Sequence, residues 1–183
     1  MAQKALNLED IVAGNVIQTK GIGSMTWLKD GERYSRLENN KQTGGTDIVA
    51  YQAKDNSREV IIPSSLLTDK STGKPIPARS ISWSADNKKV LIYNNTQRVW
   101  RYDTRGDYWV LNLKDGALRQ LGKGMPESSM MFAKFSPDGT RVAYVSNNNI
   151  YVEDIDSGKI TQLTKDGSDT CLLYTSPSPR DST

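Results

Sequence analysis

There is no histidine in these 183 residues. A Ser-His-Asp or Cys-His site therefore cannot be built from this chain alone, because activating such a nucleophile requires a base within hydrogen-bond reach. Cysteine is almost as scarce. Cys171 is the only one, so the residues before it can form neither a disulfide nor a thiolate metal site, although this leaves the redox compartment open. No apolar run approaches the ~18 residues of a membrane span; the longest are of the kind Val90-Leu91-Ile92-Tyr93. The opening Met1-Ala2-Gln3-Lys4 has no apolar segment of the signal-peptide type, which fits a cytoplasmic chain or one that starts after a leader. An excess of one charge is missing too: 24 basic and 21 acidic residues are interleaved, for a net charge of +3. A nucleic-acid or membrane-surface face needs clustered Lys and Arg, so no nucleic-acid partner is expected.

What is present is repetition. The run Met25-Thr-Trp27-Leu-Lys-Asp30-Gly31-Glu-Arg-Tyr34 returns as Ile81-Ser-Trp83-Ser-Ala-Asp86-Asn87-Lys-Lys-Val90-Leu-Ile-Tyr93. It returns again as Phe132-Ala-Lys-Phe135-Ser-Pro137-Asp138-Gly139-Thr-Arg-Val142-Ala-Tyr144. Each copy reads as a strand, a tight turn whose Gly or Asn tolerates positive φ, and a second strand rich in β-branched or aromatic residues. A second hairpin follows each copy. Tyr108 to Leu121, turning at Asp115-Gly116, parallels Ile150 to Leu163, turning at Ser157-Gly158; the first copy is looser, with Asp47 to Tyr51, Asp55-Asn56 and Val60-Ile61-Ile62. Four short antiparallel strands about every 50 residues are the mark of propeller blades.

The fold expected is all-β, a partial β-propeller of about three four-stranded antiparallel blades over residues 15–169. Trp27, Trp83 and Phe135 are expected at equivalent buried positions. Residues 1–14 form a segment with a short N-terminal helix near Leu6-Asn7-Leu8-Glu9-Asp10-Ile11, which has an Asn cap and early acids. Leu67 to Pro77 reads as a polar loop. After about Asp169 the repeat stops. The stretch from Thr170 to Thr183 resembles translated read-through of a sequencing-library adaptor, so residues 170–183 are expected to be a non-native or disordered tail. Three blades cannot close a ring. The isolated chain is expected to show two open faces, with apolar rows such as Val90, Ile92 and Val142, and to associate through them.

Other patterns are weaker. Gly21-Ile-Gly23 lacks the third Gly of a dinucleotide loop. Asp154-Ile-Asp156-Ser-Gly158 echoes a calcium loop without its closing Glu, and a hairpin explains it better. Asn94-Asn95-Thr96 fits a glycosylation sequon. No cofactor and no metal site is expected.

Several stretches together resemble the dipeptidyl peptidase IV family. They are Trp100-Arg101-Tyr102 followed by Asp107-Tyr108-Trp109-Val110-Leu111-Asn112, then Leu8-Glu9-Asp10-Ile11, the turn Met25 to Gly31, and Asn148-Asn149-Ile150-Tyr151-Val152. They occur in the family's order, and the resemblance covers roughly residues 6 to 169. It implies that an eight-bladed propeller caps an α/β-hydrolase domain and that a peptide's N-terminus is held between them. It also implies that Arg101 hydrogen-bonds a substrate carbonyl, a task suited to the fixed donors of a guanidinium. No catalytic residue is expected here, since the Glu pair that holds the free amine, the Gly-x-Ser-x-Gly elbow, the Asp and the His are absent. The parent would be a serine exopeptidase releasing dipeptides or tripeptides after Pro, with a peptide bearing a penultimate Pro as partner. The resemblance places the parent in the periplasm or another extracytoplasmic compartment and allows it to be a homodimer. Two alternatives stand beside this reading. The chain could be a TolB-like non-enzymatic propeller for protein–protein interaction. Arg98, Arg101 and Arg105, alternating with Asp103 and Asp107, could instead be a surface strand of weak ion pairs.

Overall fold

The computed structural model describes residues 23–99 and 102–168. The expected N-terminal helix, Trp100, Arg101 and the tail from about residue 170 lie outside the described residues. Twelve strands form three four-stranded antiparallel sheets in sequence order. Blade 1 holds β1 (Met25–Trp27), β2 (Arg33–Asn39), β3 (Thr46–Gln52) and β4 (Arg58–Ile62). Blade 2 holds β5 (Ser80–Trp83), β6 (Lys89–Val99), β7 (Tyr102–Asn112) and β8 (Ala117–Gln120). Blade 3 holds β9 (Met131–Phe135), β10 (Arg141–Ser146), β11 (Asn149–Asp154) and β12 (Ile160–Gln162). Within each sheet every strand pairs with the next one in the chain, so each blade is a meander closed by local turns. The polar loop expected from Leu67 begins with a short 3-10 turn, Ser64–Leu67, and folds back through a bridge between Thr68 and Pro75.

Side chains alternate across a strand, and the middle blade uses both of its faces. Val90, Ile92 and Leu111 join Leu28, Ile48, Ile62, Leu67, Ile76 and Trp83 in a core shared with blade 1. Leu91, Tyr108 and Val110 join Leu121, Met130, Val142, Tyr144 and Ile155 in a core shared with blade 3. Each such side chain contributes roughly 1.5–3 kcal/mol when fully buried, so both inter-blade seams are strong. This corrects one expectation. Val90, Ile92 and Val142 are fully buried between blades rather than lying on open terminal faces.

A second correction concerns the three aromatic anchors. Each is the last residue of its blade's first strand, paired with the second strand as Trp27↔Tyr34, Trp83↔Val90 and Phe135↔Val142. Their positions are equivalent, but their burial is not: Trp83 is 7% exposed and Trp27 is 56% exposed, while Phe135 is half-buried. The reason lies in the stacking. An anchor points toward the preceding blade. Trp83 donates its indole N–H to Ser35 Oγ of blade 1 at 2.9 Å, and Phe135 packs on the core shared with blade 2. Trp27 belongs to blade 1, and among the described residues it meets only its own sheet, in an aromatic row with Tyr34 and Tyr51.

The seam between blades 2 and 3 also contains charge. Glu153, only 2% exposed, accepts hydrogen bonds from Gly122 N–H and the Tyr144 hydroxyl. It lies 3.3 Å from the Arg119 guanidinium of β8. Burial, then the nearby Glu153 charge, pushes the Tyr144 hydroxyl well above its ordinary range. The Glu153 carboxylate is thus partnered across the seam, as a buried charge requires, although the Arg119 Nε is buried without a hydrogen-bond partner.

Candidate functional site

The two ends of the stacked blades differ. At one end lie the first-to-second and third-to-fourth strand turns. In each first hairpin the Asp folds the turn with its own carboxylate. Asp30 accepts from Glu32 N–H and Arg33 N–H, Asp86 from Lys88 N–H and the Ser84 hydroxyl, and Asp138 from Thr140 N–H and the Ser136 hydroxyl. Gly31, Asn87 and Gly139 supply the positive φ that follows. These donors hold all three carboxyls below the ordinary carboxylate range, with Asp138 down to about 2, chiefly through Ser136. The donors around these three carboxylates are committed to the turns.

The other end carries the second-to-third strand connections and the links between blades. Here β6 and β7 run for 11 residues each, whereas β10 and β11 run for 6. The pairing continues past the blade through Asn94↔Asp107, Gln97↔Arg105, Arg98↔Asp103 and Val99↔Tyr102. The two strands thus form an arm, and Trp100-Arg101 occupies the chain between them, outside the described residues.

The base of the arm is tightly held. Tyr93 stacks on Tyr108 with centroids 4.7 Å apart and donates its hydroxyl to Arg105 O at 2.9 Å. A Cβ on Gly106 would meet the Tyr93 ring and lie 2.6 Å from Asn94 O, so no larger residue fits there. Gly106 exchanges backbone hydrogen bonds with Met130, which ties the arm to the strand entering blade 3. Asp107 is buried. Its carboxylate accepts from Ser128 N–H at 2.8 Å and from the Asn95 amide at 2.7 Å. It is therefore not the surface partner for arginines that an exposed ion-pair strand would supply.

The Asp107 clamp repeats, and the sequence pattern did not reveal it. Asp47 accepts from Ser64 N–H and the Asn40 amide, and Asn149 accepts from Gly167 N–H and the Thr164 hydroxyl. Each captures the chain leaving its blade. The signal was available, because all three stand nine residues ahead of the left-handed residue of the next hairpin, Asn56, Gly116 and Gly158.

Beside the arm base is a polar recess of about 300 Å³ lined by Arg105, Ser129, Met131, Asn147 and Asn148. Asn147 and Asn148 are both left-handed, with φ of 47° and 61°, and form a two-residue hairpin turn between the paired Ser146 and Asn149. The hydroxyls of Ser129 and Ser146 lie 3.0 Å apart. Seven described non-glycine residues have positive φ. Asn56 and Asn87 sit in the ordinary turns of the opposite end; the other five, Asn95, Ser128, Phe132, Asn147 and Asn148, all lie around the arm base and recess. For an exposed, bulky Phe132 this conformation is an outlier of order 1–3 kcal/mol.

Other sequence patterns find no ligand chemistry here. Asn94 is buried and offers no accessible acceptor for a glycan, so the sequon reading fails. The Asp154 carboxylate is taken by Ser157 N–H and its hydroxyl inside a hairpin. Among the described residues no group of three His, Cys, Asp or Glu side chains could hold a metal, and no helix is long and apolar enough to cross a membrane.

Comparison with known proteins places this geometry. The family described as the dipeptidyl peptidase IV (DPP IV) N-terminal region matches residues 84–175. The probable dipeptidyl-aminopeptidase B of Aspergillus oryzae is 28% identical over 149 residues, which cover 81% of this chain and 16% of that protein. Its counterpart from Neosartorya fischeri is 33% identical over 105 residues, covering 57% of this chain and 11% of the relative. The chain thus spans less than a fifth of the length of these curated relatives. The crystal structure of Porphyromonas gingivalis dipeptidyl peptidase 4 superposes with a TM-score of 0.72 at 23% identity, over 91% of this chain and 23% of that one. That superposition is a likeness of fold.

Proposed function

The chain belongs to the dipeptidyl peptidase IV family, as part of its N-terminal propeller region, and from that premise we propose that it forms a substrate-gating wall of a serine exopeptidase. In this reading a catalytic α/β-hydrolase domain supplies the Ser, His and Asp, and the propeller holds the peptide so that dipeptides or tripeptides are released after Pro. Arg101 is the anchoring residue. It donates to a carbonyl near the substrate's N-terminus, while groups elsewhere hold the amine. An enzyme that counts residues from one end must fix that end, because a misplacement of about 1 Å can cost ~100-fold in rate. We also propose, by family resemblance alone, that the protein works in the periplasm or another extracytoplasmic compartment.

One observation carries the proposal. The hairpin that bears Trp100-Arg101 is the one that outgrows its blade, and its base is built from residues that admit no slack: Gly106, Asp107 and the Tyr93–Tyr108 stack. Such a base supports the reading that a donor borne between the two strands is pre-positioned rather than left to search. The test is an assay of the full-length protein from the same gene with a Gly-Pro chromogenic substrate. Release of chromophore from the free-amine form and none from the N-acetylated form is expected, and the 183-residue chain alone should read as buffer. Equal turnover of both forms would remove the exopeptidase reading.

A further inference from the structure

We propose that the recess beside the arm base is a carboxylate-binding subsite, with Arg105 as its charged donor and Asn147, Asn148 and Ser129 as its polar walls. Four observations converge. Arg105 is exposed and lines the recess, and among the described residues no carboxylate forms an ion pair with it. The lining contains no Asp or Glu; Asp107, two residues on in the sequence, is buried and committed to Ser128 and Asn95. The remaining walls are Met131, two side-chain amides and the Ser129 hydroxyl, so the polar ones can donate to an oxygen anion and none brings a competing charge. Finally, the walls are rigid. The Asn147-Asn148 turn is fixed in left-handed geometry, Gly167 packs against Asn148 O, and the Gly106–Met130 bridge locks the arm to blade 3.

A single guanidinium among neutral donors suits one negative charge on a planar group, which an Arg fork can grip in two places. The ligand class is therefore a peptide carboxylate, either an acidic side chain or a free C-terminus. Arg105 stands four residues after Arg101 in the sequence, which makes the same peptide the natural candidate for both contacts. This step deepens the peptidase reading, since it assigns a second contact to the same substrate.

The test is direct binding to the 183-residue chain, followed by the amide signals of Ser129, Asn147 and Asn148 in NMR titrations. The probes are Gly-Pro-Glu and Gly-Pro-Gln, each with a free or an amidated C-terminus. Carboxylate-bearing probes are expected to shift these signals with a dissociation constant about tenfold below that of the doubly neutral peptide, the equivalent of one modest charge-assisted contact. The Gln/acid and Glu/amide arms show which carboxylate is held. Arg105→Gln should abolish the preference and Arg105→Lys should keep part of it, with the spectra of both otherwise superimposable on wild type. Equal binding of neutral and acidic probes, or an undiminished preference in Arg105→Gln, overturns the subsite. Because the readout is binding, it separates from the enzymatic reading: an inactive full-length protein would remove the peptidase proposal while leaving a measured carboxylate preference intact.

Discussion

The hairpin-turn end of the blades and the arm end are built from the same residue types to opposite effect. At the turn end Asp30, Asp86 and Asp138 are exposed and bond only to their own hairpins. At the arm end Asp47 and Asp107 are buried and bond to chain 17 and 21 residues away. The first device makes a turn; the second holds a blade to the link that leaves it. Positive φ follows the same division, since it falls on Gly or Asn at the hairpins but on Ser128 and Phe132 as well near the arm. Regular, interchangeable turns mark the structural end. Idiosyncratic, tightly coupled geometry marks the end that bears the candidate site.

The contrast is sharpest for one substitution made at both ends. Asp107→Ala should cost about 2 kcal/mol, because it strands the buried Ser128 N–H, while the exposed Asn95 amide keeps Glu127. Asp138→Ala should cost clearly less, since water can replace an exposed turn acceptor. Urea denaturation of the two variants decides this, and equal losses would break the distinction. Glycine offers the next comparison. Gly106→Ala must displace Asn94 O or the Tyr93 ring, and overpacking of this kind costs about 2 kcal/mol. Gly139→Ala meets only ordinary contact with Ser84 at 3.5 Å but keeps φ at 67°, for a cost of about 1 kcal/mol. If the order of these two melting temperatures reverses, the arm base is not the tighter of the two ends.

The smallest effect is a pH dependence carried by Asp138 at the turn end. Hydrogen bonds from Ser136 and Thr140 depress the Asp138 carboxyl from 3.8 to about 2 in the folded chain. An acid whose folded pKa is lowered stabilises the fold above its ordinary pKa, and that contribution is lost as pH falls from about 4 toward 2. Unfolding midpoints between pH 5 and 2 should therefore fall more steeply for wild type than for Asp138→Asn. Parallel curves would show that the turn carboxylates are not linked to folding.

The blades were legible because their signals are local. An aromatic, an Asp and a Gly or Asn recur within seven or eight residues, and the hydrogen bonds they make stay inside that window. Burial of Trp27 was not legible, since a side chain's cover comes from the preceding blade and no repeat can report it. The clamp escaped notice for a related reason. Its acceptor is Asp, Asp and then Asn, and its partners lie at variable separations along irregular links. The recess depends on Arg105, Ser129 and Asn148 meeting across two blades, which sequence spacing does not encode. Arg101 is the reverse case: a family resemblance points to it, while the structure describes only the strands on either side.

The central claim is that the arm exists to present Arg101 to a peptide. It is tested most directly by Arg101→Ala in the full-length protein, with kcat/KM measured on a free-amine Gly-Pro chromogenic substrate beside a thermal melt. Loss of one hydrogen bond involving a charged group, about 1.5–3 kcal/mol, predicts a fall of roughly 10- to 150-fold, with Tm unchanged if the residue's role is binding rather than packing. Full activity in the variant, or a loss that tracks unfolding, would make Arg101 an ordinary surface residue and contradict the account.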